Sequence, residues 1–170
     1  MPEVSPPFYL SQLRQKISQG DIFFQIFVAD LEYPATIPTM RYINAVMLTH
    51  DCEFDKPKAM TALFAEIRPM HDVPIDSQGH VRNNTPLHTF YLPASDGLEE
   101  SYVNLRRIYQ VDKKFLTQQG TTRFRSVEED VRLALERVIS TYFGVERDLA
   151  GGLQEDTTGT SAAQSTETPS

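Results

Sequence analysis

The sequence has 170 residues, of which 40% are hydrophobic and 23% charged, and its formal net charge is -7. This length suits one domain with a sizeable core and is short for two ordinary domains. The negative total argues against a protein coated in basic residues for unselective nucleic-acid binding, although Arg and Lys are clustered enough to form a local basic cleft.

The first half of the chain predicts a short helix followed by strands. Residues 1–7 form an extended, Pro-containing lead, and apolar residues at roughly helical spacing predict a helix over residues 8–18. Strand signals follow at residues 20–28, about 41–50 and 60–68. The segment between the first two strands contains two prolines and no periodicity, so it is predicted as a surface loop.

The second half opens with a long interruption. Residues 69–87 contain Pro74, Gly79 and Pro86 among scattered polar residues, which predicts a long loop outside the core. Loops of this length in compact domains tend to be functional or disordered. Further strands are predicted over residues 87–92 and 102–111.

The clearest predicted helix is the last element. Ser126 and Glu129 have the spacing of a capping box, an apolar stripe follows, and Gly144 marks the end. Residues 150–170 are rich in Ser, Thr and acidic residues and cannot bury enough apolar surface to offset their ordering entropy, so this acidic tail is predicted to be disordered. Residues 8–149 are therefore predicted to form a single domain.

These elements predict a mainly β fold. Five or six short antiparallel strands are flanked by a short N-terminal helix and a C-terminal helix. A small, strongly bent barrel is the economical way for so few strands to enclose a core.

Five residues with polar or reactive side chains directly follow the second predicted strand. They are Thr49, His50, Asp51, Cys52 and Glu53. Polar side chains that follow a buried strand stand on a rigid support, where binding and catalysis are commonly found. Imidazole, thiolate and carboxylate are zinc ligands, but neighbouring residues rarely all reach one ion, and no second ligand pair with metal spacing follows. We therefore predict no metal site and no cofactor.

Cys52 and His50 allow another interpretation, because residues two apart share one face of a strand. A nucleophilic Cys needs an activated thiolate. The neighbouring carboxylates of Asp51 and Glu53 disfavour that charged form. We therefore favour Cys52 as a small buried hydrophobe and expect its polar neighbours to bond to loop backbone.

The order of elements and three segments resemble the PemK/MazF family of toxins. The segments are GDIF at residues 20–23, AVMLTHD at residues 45–51 and SYVNLRRIYQVDKKFL at residues 101–116. The resemblance covers most of residues 19–144. It implies an SH3-like barrel that is cytoplasmic and homodimeric, that cleaves single-stranded RNA without a metal, and that an antitoxin holds inactive.

Two positions differ from the pattern of that family. Its second strand opens with an Arg-Pro pair whose Arg assists attack of the 2′-hydroxyl on the adjacent phosphate, whereas Ile43 and Asn44 stand there in this chain. Arg41 lies two residues earlier, which keeps it on the same strand face. The Ser or Thr that usually ends the third strand is replaced by Arg68.

RNA cleavage needs a base for the 2′-hydroxyl, an acid for the leaving oxygen and a cation for the phosphate. The sequence offers these group types near the ends of two predicted strands, where the toxins bind RNA. The predicted catalytic residues are His50, Arg41 and Arg68, with Asp51 orienting the imidazole.

The late strand carries basic residues with aromatic residues between them. Arg106, Arg107, Tyr109 and Lys113 are the predicted nucleic-acid-binding residues, because cations and stacking rings suit single strands. A solvated strand face is the alternative. The resemblance adds a third possibility, since this strand helps to form the dimer in the toxins.

The predicted function is nucleic-acid-directed, as a metal-independent endoribonuclease or a descendant with an altered site. The alternative is a non-catalytic protein-interaction module that uses residues 69–88 and the acidic tail. The predicted partners are single-stranded RNA, an antitoxin-like protein and a second copy of the chain. The single Cys, the lack of an apolar run of about 18 residues and the lack of a signal peptide predict a cytoplasmic protein with no membrane contact.

Overall fold

The computed structural model describes residues 7–31, 34, 36–117 and 121–144. These residues form one six-stranded antiparallel sheet and three α-helices, which confirms the predicted mainly β class. The strands are β1 Asp21–Asp30, β2 Thr39–Met47, β3 Thr61–Pro69, β4 Thr89–Leu92, β5 Ser101–Asp112 and β6 Thr122–Ser126. The helices are α1 Asp51–Phe54, α2 Ile75–Arg82 and α3 Glu129–Tyr142. The order across the sheet is β4-β5-β3-β2-β1-β6. The predicted tail, residues 150–170, lies outside the described residues.

Five of these strands coincide with predicted segments, whereas β6 was missed. Phe124 is the one large apolar residue among its five, so the local strand signal is weak. Pairing with β1 compensates, because Asp21 lies opposite Ser126 and Phe24 lies opposite Thr122. The sheet neighbour, rather than local preference, makes this segment a strand.

The predicted N-terminal helix over residues 8–18 was wrong. No helix forms there, and Tyr9 makes an antiparallel bridge to Val127 instead. The amide of Leu10 donates to the carbonyl of Ser126 (2.9 Å), and the amide of Glu128 donates to that of Phe8 (3.0 Å). These long-range hydrogen bonds override the helical spacing of the apolar residues.

The predicted long loop was also wrong in part, because it contains α2. Pro74 precedes the helix, a position where its missing amide costs no hydrogen bond. Arg82 in the last turn donates to both carboxylate oxygens of Glu100 (2.7 and 2.8 Å). Since the helix has only one buried residue, Val81, its apolar periodicity is too weak to be recognised from sequence.

The C-terminal helix is confirmed, but its predicted capping box is wrong. Leu135 is fully buried, and Gly144 ends the helix with a φ of +67°. Ser126 does not cap α3. Its hydroxyl donates to Asp21 (2.6 Å), which is fully buried and also accepts from the amide of Ser18 (3.0 Å). The buried carboxylate therefore fixes the junction of β1, β6 and the N-terminal segment.

Both faces of the sheet carry an apolar cluster, as strand alternation requires when neighbouring residues are both buried. The first cluster packs against α3 and includes Ile22, Val46, Ala65, Ile67, Phe90, Leu92, Val103, Leu105 and Leu135. The second cluster occupies the other face and includes Phe23, Ile26, Val28, Ile43, Ala45, Met47, Ala62, Phe64, Val111 and Leu116. Phe23 and Phe64 meet edge to face with ring centroids 5.4 Å apart.

The curled sheet brings its edge strands, β4 and β6, towards each other. The described residues contain no β4–β6 pairing, and other contacts bridge the gap. The hydroxyl of Tyr9 donates to the carbonyl of Pro93 after β4 (2.7 Å), and Arg125 of β6 donates to the carbonyl of Asp96 (2.8 Å). Gly97 lies so close to the ring of Phe124 that a Cβ there would stand 2.9 Å from it.

The pairing between β2 and β3 is short, and this opens the sheet at one end. It covers only Ala45–Met47 of β2, opposite residues 64–66 of β3. Residues 39–43 remain paired with β1 alone among the described strands. The β1–β2 hairpin therefore diverges from β3 and β5 beyond this point.

None of the helices in the described part of the chain has both the length and the apolar character that a membrane span requires.

Candidate functional site

A group of polar side chains continues the second apolar cluster at the end where the sheet opens. In β1, β2, β3 and β5, a polar residue lies two positions from an apolar residue of that cluster, on the same face of the strand. We call this group the polar cluster, and it consists of Asp30, Arg41, Glu66, Arg107 and Tyr109.

Strand irregularities set the alignment of the polar cluster. In β1, a bulge between Phe23 and Ile26, with Gln25 at a φ of +58°, keeps Asp30 on the face of the second apolar cluster. In β5, the register shifts between its pairs with Ala65 and Glu66, so residues 105–107 have no partner in β3. Bulges of this kind redirect side chains and are frequent beside functional sites.

Arg41 is at the centre of the polar cluster. Its guanidinium donates to both carboxylate oxygens of Glu66 (2.7 and 2.9 Å) and also to Asp30 (2.9 and 3.2 Å). It donates to the hydroxyl of Tyr109 as well (2.8 Å). Because these partners come from three other strands, Arg41 connects the β1–β2 hairpin to β3 and β5 where backbone pairing has ended.

Asp30 receives hydrogen bonds from three side chains. Besides Arg41, Arg107 donates to both of its oxygens (2.9 and 3.2 Å), and the hydroxyl of Tyr109 donates to one of them (3.2 Å). The two guanidinium groups and the two carboxylates balance in formal charge. The cluster is therefore held by charge-assisted hydrogen bonds, which are stronger than neutral ones.

The surroundings of the polar cluster shift its ionisation in predictable directions. Burial alone would raise the pKa of Asp30, but the hydrogen bonds and charges of Arg41 and Arg107 outweigh burial and lower it. Burial raises the pKa of Tyr109, and the negative charge of Glu66 raises it further. The hydrogen bond to Glu66 raises the pKa of Arg41, although burial opposes this shift. At neutral pH the carboxylate of Asp30 is ionised and the phenol is protonated.

Arg68 lies beside the polar cluster on the same face of β3, two residues beyond Glu66. Its guanidinium donates to Asp72 (2.8 and 3.1 Å), and Tyr102 of β5 stands opposite it. Arg68 therefore adjoins Glu66 of the polar cluster, but its charge is paired with a carboxylate of its own.

His50 and Asp51 lie elsewhere. Arg41 is near the start of β2, whereas His50 and Asp51 follow its other end, so the four predicted catalytic residues do not form one site. Nδ1 of His50 accepts from the amide of Cys52 (3.3 Å), and Asp51 accepts from the amide of Gln19 (2.7 Å). Both side chains thus bond to backbone, as expected for loop-stabilising groups.

The interpretation of Cys52 as a buried hydrophobe was wrong, because this residue is exposed. The first turn of α1 turns its side chain outward, and Sγ lies 3.2 Å from Nδ1 of His50. Within the described residues, no group of three or more His, Cys, Asp and Glu side chains is arranged to hold a metal ion.

The four predicted nucleic-acid-binding residues are divided among three places. Arg107 and Tyr109 belong to the polar cluster. Arg106 lines a neighbouring cavity. Lys113 lies beyond the opposite end of β5, where it donates to the carbonyl of Phe54 and stands over that ring at 4.4 Å.

Asp30 and Glu66 are the site residues that sequence reasoning missed. Glu66 interrupts the apolar run of β3, and an acidic residue inside a buried strand is a signal that could have been used. Asp30 ends β1 and shows no such signal. Its role depends on the alignment of four strands, which local sequence does not specify.

The described part of the chain is nearly neutral. The described residues contain 16 Asp and Glu and 15 Lys and Arg, so most of the formal net charge of -7 comes from residues outside the described ranges. The acidic total therefore does not weigh against an anionic ligand at this face.

A scan against models of known protein families finds no match, and a comparison with curated proteins finds no significant relative. The likeness to the PemK/MazF toxins stays a prediction from the residues.

The ion pairs of Asp30 predict a pH-dependent contribution to stability. Replacing Asp30 by Asn should lower the free energy of unfolding by about 1–3 kcal/mol at pH 7, because hydrogen bonds to charged groups are lost. Since the folded pKa lies below the ordinary value of 3.8, the contribution is present above pH 3.8 and disappears as the pH falls through the folded value. Urea denaturation at several pH values measures this difference.

The exposed carboxylate of Asp55, paired with Lys16, provides the matched control. Asp55→Asn should change stability by less than about 0.5 kcal/mol. An Asp30→Asn loss that stays constant from neutral pH down to well below pH 3.8 would contradict the role assigned to the ionised carboxylate.

Proposed function

We propose that the chain acts on single-stranded RNA in the cytoplasm and that the polar cluster is a metal-independent endoribonuclease site. The observation that carries this proposal is that the guanidinium of Arg41 contacts both the carboxylate of Glu66 and the phenol of Tyr109. These are the base, the cation and the acid that attack of a 2′-hydroxyl on phosphate requires. The site thus differs from the one predicted from sequence, with Glu66 in the place given to His50.

In this proposal the carboxylate of Glu66 takes the proton of the 2′-hydroxyl, whose oxygen attacks the adjacent phosphorus. The bond from phosphorus to the 5′-oxygen breaks, and that oxygen takes the proton of the Tyr109 phenol. The products are a 2′,3′-cyclic phosphate and a 5′-hydroxyl. Arg41 and Arg107 stabilise the charge that develops on the phosphate oxygens.

Access to the guanidinium groups supports the proposal. The side chains of Arg41 and Arg107 both remain 33% exposed, although each is paired with Asp30. A phosphate can therefore approach them from solvent. Glu66 is more deeply placed, with 8% of its side chain exposed, so a 2′-hydroxyl must enter the cluster to reach it.

Replacing Glu66 by Gln keeps the size of the side chain and removes the base. We expect cleavage of a fluorogenic single-stranded RNA, in the presence of EDTA, to fall by about 100- to 10,000-fold, which is the usual contribution of acid–base catalysis. Lys16→Ala, at an exposed surface lysine, should keep the wild-type rate.

The product ends and the folded state complete this experiment. Cleavage should leave cyclic phosphate ends, and thermal unfolding should show that Glu66→Gln is folded. The proposal fails if the purified wild type has no activity above background. The assignment of the site fails if His50→Ala abolishes cleavage while Glu66→Gln does not.

A second candidate function, protein binding, is favoured by the β1–β2 hairpin. On the face opposite the polar cluster, Phe27 and Tyr42 are exposed and in contact, with ring centroids 5.1 Å apart, and Met40 lies beside them. The backbone of residues 39–44 has no strand partner on the side away from β1 within the described part of the sheet. An open strand edge next to apolar side chains is a site for strand addition.

A second copy of the chain is a suitable partner, because its own β2 has the same open edge and the same apolar side chains. Antiparallel pairing of these two identical edges gives a symmetric dimer. We expect Tyr42→Asp to weaken such a dimer about 30-fold or more, because it removes an aromatic anchor from the centre of the interface. Leu133→Asp, at an exposed site on α3, should leave the dimer intact. Sedimentation equilibrium over a range of concentrations measures both constants.

A wild type that is monomeric at all concentrations would remove the second copy as the occupant of this surface. A dimer that is insensitive to Tyr42→Asp would place the interface elsewhere.

A further inference from the structure

A cavity adjoins the polar cluster on the outer side of β5. Its volume is about 340 Å³, which lies at the lower end of the range for small-molecule sites. α2 and the chain that follows it cover one side, where Val81 and Pro86 supply apolar surface. The other side carries polar side chains, namely His88 just before β4 and Tyr102, Asn104 and Arg106 of β5, and Asp72 also lines the cavity. The apolar surface of α2 and the chain after it thus faces a polar surface across the cavity.

Arg106 supplies a positive charge to a cavity whose carboxylate, Asp72, is paired with Arg68. Within the described residues, no hydrogen bond or ion pair joins its guanidinium to another side chain. The bulge in β5 explains its direction, because Arg107 bonds to Asp30 while Arg106 lines the cavity. This lone cation favours an anionic ligand, and a guanidinium is well suited to phosphate.

The remaining polar residues suit a nucleobase. Tyr102 offers a partly buried ring, and aromatic rings are the usual platforms for unstacked bases. The side-chain oxygen of Asn104 accepts from the amide of Arg106 (3.0 Å), which fixes its position and leaves its NH₂ group to donate. Burial and the charge of Arg106 lower the pKa of His88, so its imidazole is neutral at pH 7 and offers both a donor and an acceptor.

The cavity and the polar cluster are direct neighbours in the sheet. Asn104 lies opposite Glu66, and Tyr102 lies opposite Arg68, on the same face of β5 and β3. Side chains of such opposed pairs have Cβ atoms about 4.5–5.5 Å apart. A strand of RNA can therefore place one nucleotide in the cavity while the next phosphate reaches the polar cluster.

We propose that this cavity binds one nucleotide of single-stranded RNA, with Arg106 on its phosphate, Tyr102 against its base and Asn104 on the edge of the base. The inference rests on the proposed function in one respect, namely that the RNA strand passes from the cavity to the polar cluster. The binding of the nucleotide itself depends only on the cavity. A free nucleoside monophosphate offers the same groups as a nucleotide of an RNA strand, so both are used as probes.

The experiment measures two affinities at a fixed salt concentration. Calorimetry gives the affinity for each of the four nucleoside monophosphates, and fluorescence anisotropy gives the affinity for a labelled pentanucleotide. Arg106→Ala should weaken binding of the preferred monophosphate and of the pentanucleotide by about 10- to 100-fold, through loss of charge-assisted hydrogen bonds. Arg137→Ala is the matched control, because it removes an exposed Arg from α3 and should leave both affinities unchanged.

The outcomes separate the cavity from the proposed function. If the pentanucleotide binds equally to wild type and Arg106→Ala, the cavity inference is overturned and the proposed function stands. If a monophosphate binds through Arg106 while the pentanucleotide does not bind, the cavity is a nucleotide site and the proposed function fails. If neither probe binds to the wild type, both are overturned.

Discussion

The ion pair between Arg41 and Glu66 is the interaction on which the polar end of the sheet depends. Backbone pairing between β2 and β3 stops after three residues, and the β1–β2 hairpin then diverges from the rest of the sheet. Arg41 closes this opening with side-chain hydrogen bonds to three other strands. Removing one of the two charges would leave the other poorly solvated and without this partner. This destabilises the fold more than replacing both residues together. The same groups that stabilise the opening form the candidate site.

The bulge in β5 has a comparable influence on function. An uninterrupted strand would send neighbouring side chains to opposite faces. The extra residues instead allow Arg107 to reach Asp30 while Arg106 lines the cavity beside α2. One irregularity thus supplies a cation to each of two adjoining sites. Residues of β5 belong to the apolar clusters on both faces of the sheet, and this packing anchors the strand.

Features that depend on strand alternation could be predicted from sequence. Arg41 was selected because two positions along a strand preserve the face, and it does lie with Tyr109 and Arg107. Features that depend on pairing between segments far apart in the sequence could not be predicted in this way. The helical spacing of residues 8–18 was outweighed by a bridge to Val127. His50 was grouped with Arg68, although both lie near the C-terminal ends of antiparallel neighbours and therefore at opposite ends of the sheet. Asp30 and Glu66 gain their roles from the alignment of four strands, which bulges determine.

The most direct test of this account is a double-mutant cycle between Arg41 and Glu66, measured as free energies of unfolding in urea for Arg41→Met, Glu66→Gln and the double variant. We predict that each single change is strongly destabilising, and that the double variant loses about 1.5–3 kcal/mol less than the sum of the two. Losses that add to within about 0.5 kcal/mol would contradict the account, because the two residues would then stabilise the sheet independently.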